Sequence, residues 1–296
     1  MALSYTTAET SGRHVTVDDT RLHVVERGQG YPLIVLHGGP GLDHHMFGDY
    51  LDPLADRYRL ILVDQRSQGR SDRAPESTWS LQQMAADVVS LAQTLSLERY
   101  TVLGHSYGAL VALQNAIDFP GGAAGTIVSS GFPSARFLVH VARNLETFEP
   151  VELREHVRAS WARESSVASR EEMDALLHDQ LPFHFADPLD PLIEEYERRT
   201  AGAVNSPDVL RHFALQEYGG IEVENRLAGV TQPMLVLAGR QDRTCSVEAA
   251  EAIARNALNA ELVIFEKSGH MTFVEENERY IAVVRDFLIS VFSISR

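Results

Sequence analysis

The chain has 296 residues, 44% of them hydrophobic, a formal net charge of −15 and one cysteine. That is enough apolar material for a sizeable core in one large domain or two small ones, and a lone cysteine excludes an intramolecular disulfide, which suits a reducing compartment. An acidic chain without a basic run is a poor match for nucleic acid, because phosphate binding needs clustered Lys and Arg; the acidity serves solubility or, on a sharper reading, attracts cationic substrates.

Met1 to Thr10 carries no basic segment followed by an apolar stretch, and no apolar run is long enough to span a bilayer. No leader and no membrane partner are expected, and the expected location is cytoplasmic. His14 to Val17 and Arg21 to Glu26 read as two strands joined by a turn at Asp18-Asp19. Pro32 to Leu36 is a buried strand ending at a Gly cluster, Arg59 to Val63 another ending at Asp64, Tyr100 to Leu103 a third and Thr126 to Ser129 a fourth. Between them, Leu81, Met84, Val88, Leu91 and Leu95 recur every three to four residues and mark a helix; Ser106 to Phe119 is a second, ended by Pro120. Strands alternating with helices predict a mostly parallel central sheet flanked by helices. From about Pro133 to Leu227 the strand pattern stops and helical stretches rich in Glu, Arg and His take over. Pro233 to Ala238 is again a strand, Glu248 to Ala257 a helix, Glu261 to Phe265 the last strand and Glu276 to Ser293 the last helix. The expected organisation is an α/β core, residues 1–132 and 228–296, carrying a helical cap at 133–227.

Four motifs carry chemistry. Gly104-His105-Ser106-Tyr107-Gly108 follows a predicted strand and opens a predicted helix, the context of a nucleophile elbow, where a tight turn demands small neighbours and sets a Ser hydroxyl at a helix N-terminus. His37-Gly38-Gly39-Pro40-Gly41 follows the strand Pro32 to Leu36, where main-chain N–H groups can meet an oxyanion; the donors expected are those of Gly39 and Tyr107, since Pro40 has none. A Ser hydroxyl needs a base. Of the twelve histidines, His270 is the one on the loop after the last strand, where an α/β-hydrolase keeps its base; His105 reads as packing or loop support, and His44 and His45 as a solvated loop rather than a pocket lining. The base needs a carboxylate to set its tautomer. Asp242 ends the strand Pro233 to Ala238, while the preceding strand ends in Ser130-Gly131-Phe132-Pro133 without one. The order Ser106, Asp242, His270 is that of the α/β-hydrolase fold. In Asp64-Gln65-Arg66-Ser67-Gln68-Gly69-Arg70-Ser71, Asp64 and Arg66 are expected to tie this loop to those carrying the nucleophile and the oxyanion hole. No metal-ligand spacing and no phosphate loop is evident, so neither a metal nor a cofactor is expected.

Together these motifs resemble the α/β-hydrolase superfamily and, within it, the proline iminopeptidase family, on His37 to Gly41, Asp64 to Ser71 and Ser268-Gly269-His270-Met271-Thr272. The resemblance covers roughly residues 14–132 and 228–293. It implies an α/β-hydrolase fold, the triad Ser106, Asp242 and His270, and a small-molecule or short-peptide substrate. The chain departs from the family at Ser67, where Gly is usual, in its elbow, where many iminopeptidases read Gly-Gly-Ser-Trp-Gly, and in lacking a Trp-x-x-Trp-Glu segment in the cap. The resemblance also implies carboxylates for the substrate ammonium. The position after the triad Asp is Arg243, a cation expected to repel that group; Glu217 resembles a cap carboxylate for it, against the plainer reading of an exposed helical Glu. Cap aromatics Trp161, Phe183, Phe185, Phe213 and Tyr218 are candidates to line the pocket. The expected activity is acyl transfer on a small ester, lactone or amide; the alternatives are a proline iminopeptidase and a non-enzymatic ligand receptor on the same fold.

Overall fold

The computed structural model describes residues 12–293; the stretch Met1 to Thr10, on which the expected lack of a leader rests, lies outside them. Eight strands form one sheet: β1 (Arg13–Val17), β2 (Thr20–Arg27), β3 (Tyr31–Leu36), β4 (Tyr58–Val63), β5 (Thr101–His105), β6 (Gly125–Ser129), β7 (Met234–Gly239) and β8 (Ala260–Phe265), in the order β1-β2-β4-β3-β5-β6-β7-β8. The first two pairings are antiparallel and the rest parallel. Side chains alternate across the sheet with a period of two. Ile34, Leu36, Ile61 and Val63 face one core, and Leu33, Val35, Leu60 and Leu62 the other. β5 and β6 are buried at every position because helices cover both faces. β5 runs two residues beyond its predicted end, since Gly104 and His105 still pair with Val128 and Ser129.

The helices are α1 (Leu81–Thr94), α2 (Tyr107–Asp118), α3 (Val139–Glu146), α4 (Val151–Arg163), α5 (Arg170–His184), α6 (Leu192–Arg199), α7 (Pro207–Ala214), α8 (Val247–Asn256), α9 (Thr272–Glu275) and α10 (Asn277–Ser293). α1 starts where the Ser80 hydroxyl accepts the Gln83 N–H, and it buries the predicted stripe of Leu81, Met84, Val88 and Leu91. α1, α2 and α8 pack on one face of the sheet, and α10 on the other. Helices α3 to α7 all fall between β6 and β7, adjacent strands of the sheet. The two ends of this insertion meet: Ser134 and Glu222 form an antiparallel bridge, with the Ala135 N–H donating to the Ile221 carbonyl and the Val223 N–H to the Pro133 carbonyl. The insertion therefore leaves and rejoins the sheet at one place. Among the described residues, no helix is long and apolar enough to cross a membrane.

The loop after β4 behaves partly as expected. Asp64 does hold the loop after β3, accepting the N–H and Nδ1–H of His44 at 2.9 and 2.6 Å as well as the Arg70 N–H at 2.9 Å. His44 is accordingly buried, not part of a solvated loop. Arg66 does not reach the nucleophile or oxyanion loops. It is fully buried and pairs with Asp87 of α1 and Asp19 of the β1–β2 turn, because a buried guanidinium needs carboxylates for its fork of donors. The fold also brings His23, His44 and Asp64 together, with possible ligand atoms within 4.8 Å of one another. Both Asp64 oxygens are already engaged by protein donors there.

Candidate active site

Ser106 sits between β5 and α2 at φ 55°, ψ −119°, in a region that an L-residue occupies only at a cost of about 1–3 kcal/mol. Its N–H donates to the Ser129 carbonyl at 2.9 Å, which fixes the turn to the neighbouring strand. Sterics explain the flanking glycines. A Cβ on Gly104 would run into the Gly108 carbonyl, and one on Gly108 into the Leu36 carbonyl. Tyr107 is the first residue of α2, so its N–H has no acceptor within the helix and lies at the helix's positive end. Its ring is buried in the core, 5.1 Å from that of Phe213. Gly39, in the loop after β3, lines the same cavity as Ser106 and Tyr107.

His270 and Asp242 are brought together from loops after β8 and β7. His270 Nδ1 lies 2.8 Å from Asp242 Oδ2, and the side chains are 4% and 0% exposed. Asp242 Oδ1 accepts the Thr244 N–H and hydroxyl, both at 2.8 Å, and the Cys245 N–H at 2.9 Å. Burial alone would push the Asp242 carboxyl up; the His270 imidazole and these hydrogen bonds outweigh it and hold the group below the usual carboxylate range. The predicted support role of His105 holds: its ring is buried, with Nδ1 3.1 Å from the Ser129 hydroxyl, and it packs 5.0 Å from the ring of His270. Cys245 is buried beside Asp242.

Ser106, His270, Gly39 and Tyr107 all line one cavity of about 380 Å³ between the core and the inserted helices. Of the expected cap aromatics, Trp161 and Tyr218 line it, whereas Phe183, Phe185 and Phe213 are fully buried away from it. Glu217 is exposed and is not among the lining residues. Glu217 and Tyr218 both have positive φ, 51° and 54°, and this turn sends Tyr218 inward in place of the carboxylate. Arg243 is not in the cavity either. Its guanidinium donates to the carbonyls of Phe183, Phe185 and Ala186 and lies 5.2 Å from the Phe148 ring. The carbonyls at the C-terminal end of α5 draw it there, so its guanidinium is held on the main chain rather than facing a ligand in the cavity.

Two lining residues that were not foreseen, Glu164 and His184, bear on the chemistry. Glu164, just after α4, is buried and accepts the Gln180 Nε2–H at 2.7 Å and the Tyr218 hydroxyl. Burial raises its pKa, against the effect of those hydrogen bonds. The other cavity carboxylates have their own partners: Asp43 is paired with Arg70 and His45, Glu197 with His178, and Asp174 accepts from Asn205. Among the described residues, neither Arg nor Lys lines the cavity, and Glu164 has neutral donors only. The signal for Glu164 is its spacing three residues from Trp161, which puts both on one helical face; nothing in its charged surroundings sets it apart from the other Glu residues of the insertion. The second is His184, whose ring lies 5.1 Å from that of His270 and which burial pushes down to about 3, leaving it neutral.

The chain matches the family described as alpha/beta hydrolase fold over residues 31–277. A proline iminopeptidase from Heyndrickxia coagulans is 31% identical over 275 residues, covering 90% of this chain and 93% of the relative. Among solved structures, an alpha/beta fold family hydrolase from Bacillus anthracis superposes with a TM-score of 0.80 at 24% identity, covering 95% of this chain and 100% of that one. An esterase from Exiguobacterium antarcticum does so with a TM-score of 0.73 at 24% identity, covering 93% and 98%. The chain belongs to the alpha/beta hydrolase fold family, as a hydrolase similar to the proline iminopeptidases.

Proposed function

We propose that the protein is a serine hydrolase that cleaves a small ester, lactone or amide through an acyl-enzyme on Ser106. The observation that carries this reading is the meeting of a Ser at an elbow and an Asp-bound His in one cavity. His270 takes the Ser106 proton as the hydroxyl oxygen attacks the carbonyl carbon. The N–H groups of Gly39 and Tyr107 hold the oxyanion. His270 then gives its proton to the leaving group as the acyl bond breaks; a water deprotonated by His270 attacks the acyl-enzyme, and His270 returns that proton to the departing Ser106 oxygen, which frees the acid. Asp242 keeps Nδ1 protonated and stabilises the imidazolium. The core residues 1–132 and 228–296 supply this chemistry, and the cap 133–227 covers it and shapes specificity.

A second reading, removal of N-terminal proline from short peptides, gains support from the acidic cavity. Glu164 offers a carboxylate with no cationic partner, and Arg243 is directed elsewhere. The deciding experiment compares proline p-nitroanilide with p-nitrophenyl acetate and butyrate, using Ser106→Ala as the control. Turnover of either class, reduced by several orders of magnitude in Ser106→Ala, supports the acyl-enzyme reading. Turnover of the amide selects the iminopeptidase; turnover of the esters alone rejects it. Full activity in Ser106→Ala would sink the acyl-enzyme on Ser106 altogether.

A further inference from the structure

The loops that carry Asp242 and His270 are both tied to one short stretch of the cap. On the Asp242 side, Arg243 donates from Nη1 to the Phe185 carbonyl at 2.5 Å and the Phe183 carbonyl at 3.3 Å, and from Nη2 to the Ala186 carbonyl at 3.0 Å. The Arg243 carbonyl in turn accepts from Asn144 Nδ2 of α3 at 2.9 Å. On the His270 side, the His270 N–H donates to the His184 carbonyl at 2.7 Å. Glu275, the last residue of α9, bridges the same two elements: Oε1 accepts the Ala186 N–H at 2.7 Å and Oε2 the Gly269 N–H at 2.9 Å. The core's own hold on His270 includes the Ser130 hydroxyl, which donates to its carbonyl at 3.0 Å. Neither Arg243 nor Glu275 lines the cavity.

We propose that Arg243 and Glu275 are positioning residues that together clamp the main chain of Phe183–Ala186, Arg243 on its carbonyls and Glu275 on the Ala186 N–H, and so set Asp242 and His270 against Ser106. The proposal rests on the triad reading above. Both charges are directed at backbone groups, so the clamp acts on the loops themselves rather than on one side chain. It also links the cap to the chemistry. His184 faces the cavity from within the clamped stretch, so an occupant that shifts this end of α5 shifts His270 with it.

The clamp has a pH signature. Burial pushes the Glu275 carboxyl up to about 7, partly offset by the N–H groups of Ala186, Gly269 and Met271. The charged groups facing it are Asp242, which opposes its ionisation, and Arg243, whose own charge it favours. Glu276, beside it, has its carboxylate engaged by the Lys267 N–H and the Ser268 hydroxyl. A proton on Glu275 removes acceptor capacity and loosens one side of the clamp as the pH falls through about 7. For stability the sign is the reverse. The folded pKa lies above the ordinary value of 4.5, so this group's contribution is fullest below that value and is lost as pH rises through about 7.

The test is the rate at which Ser106 of the whole protein is phosphonylated by a fluorophosphonate, which reports on an activated serine without knowledge of the natural substrate. Arg243→Ala and Glu275→Gln, with melting temperatures showing that both fold, are expected to label about ten- to a hundredfold more slowly. Arg243→Lys, which keeps the charge, should recover part of the rate. The His270 base gives both proteins a pH dependence, so the reading is the difference between them: the ratio of the wild-type rate to that of Glu275→Gln should rise with pH through about 7. The decline in melting temperature between about pH 5 and 8 should also be shallower in that variant. Folded variants that label at the wild-type rate, with an unchanged pH profile, overturn the proposal. If Arg243→Ala does not fold, Arg243→Lys and Glu275→Gln carry the same test. A wild-type protein that is not labelled at Ser106 overturns the triad reading, and the clamp falls with it; labelled wild type with unaffected variants overturns the clamp alone.

Discussion

The two sides of the candidate active site are built by different means. The Ser106 side is made by collisions of the main chain inside the core: Gly104 and Gly108 leave room for nothing larger than hydrogen, and Ser106 is held to β6 by its own N–H. The bonds that shape this side come from the core. The Asp242 and His270 side is made of two loops that, besides bonds to the core such as that from the Ser130 hydroxyl to the His270 carbonyl, are tied to the cap through Arg243, Glu275 and the His270 N–H. The first is a local property of five residues in sequence. The second depends on contacts between residues more than fifty positions apart. A change at the Phe183–Ala186 end of the cap should therefore reach the base more than the elbow.

That contrast can be broken or sharpened by substitution. The largest effect is expected at Asp242→Asn, which removes the carboxylate and presents the wrong tautomer to His270. kcat on the best substrate should fall about 10⁴-fold with the fold retained. A fall of less than tenfold would mean that His270 is oriented by the cap without Asp242. Next comes Phe183→Ala. Phe183 is fully buried in a cap cluster with Val141, Phe148 and Val157, and it lies within the clamped stretch. Its loss should cost about 3–5 kcal/mol in denaturant unfolding. Fluorophosphonate labelling of Ser106 should slow in the folded variant; an unchanged rate would show that the acid–base loops stand independently of the cap.

The smallest effect concerns what the cap offers to substrate rather than to the triad. If the protein accepts proline p-nitroanilide, Glu164→Gln should raise KM for it about tenfold, or ~1.4 kcal/mol, and leave p-nitrophenyl ester turnover within twofold. Because burial raises the Glu164 pKa, the wild-type KM for the amide should climb as the pH falls and the carboxylate is lost. Equal effects on both substrates would mark Glu164 as a packing group.

The core was largely legible in the sequence. Each of the eight strands lies where an apolar run bounded by turn residues was found, and α1, α2, α8 and α10 lie where helices were expected, because these signals are local; the four-residue α9 was not expected. The elbow and the glycine loop were legible for the same reason, and Asp242 and His270 because the resemblance to the α/β-hydrolase fold assigns the acid and the base to the loops after the last two strands. The cap was legible only as helical. Its sequence does not say that Glu217 turns outward while Tyr218 and Glu164 turn inward, that Phe183 packs away from the cavity, or that Arg243 binds carbonyls rather than facing a ligand.

The sequence by itself determined the order of strands and helices and the strained turn at Ser106, because each follows from a periodicity of the chain or from a steric demand within a few residues, and it named the candidate triad. Only the tertiary structure decided which charges reach the cavity and which are absorbed in holding it. A carboxylate or a guanidinium takes its role from the nearest buried donor or acceptor, and for Glu164, Arg243 and Glu275 those partners lie on elements distant in the chain.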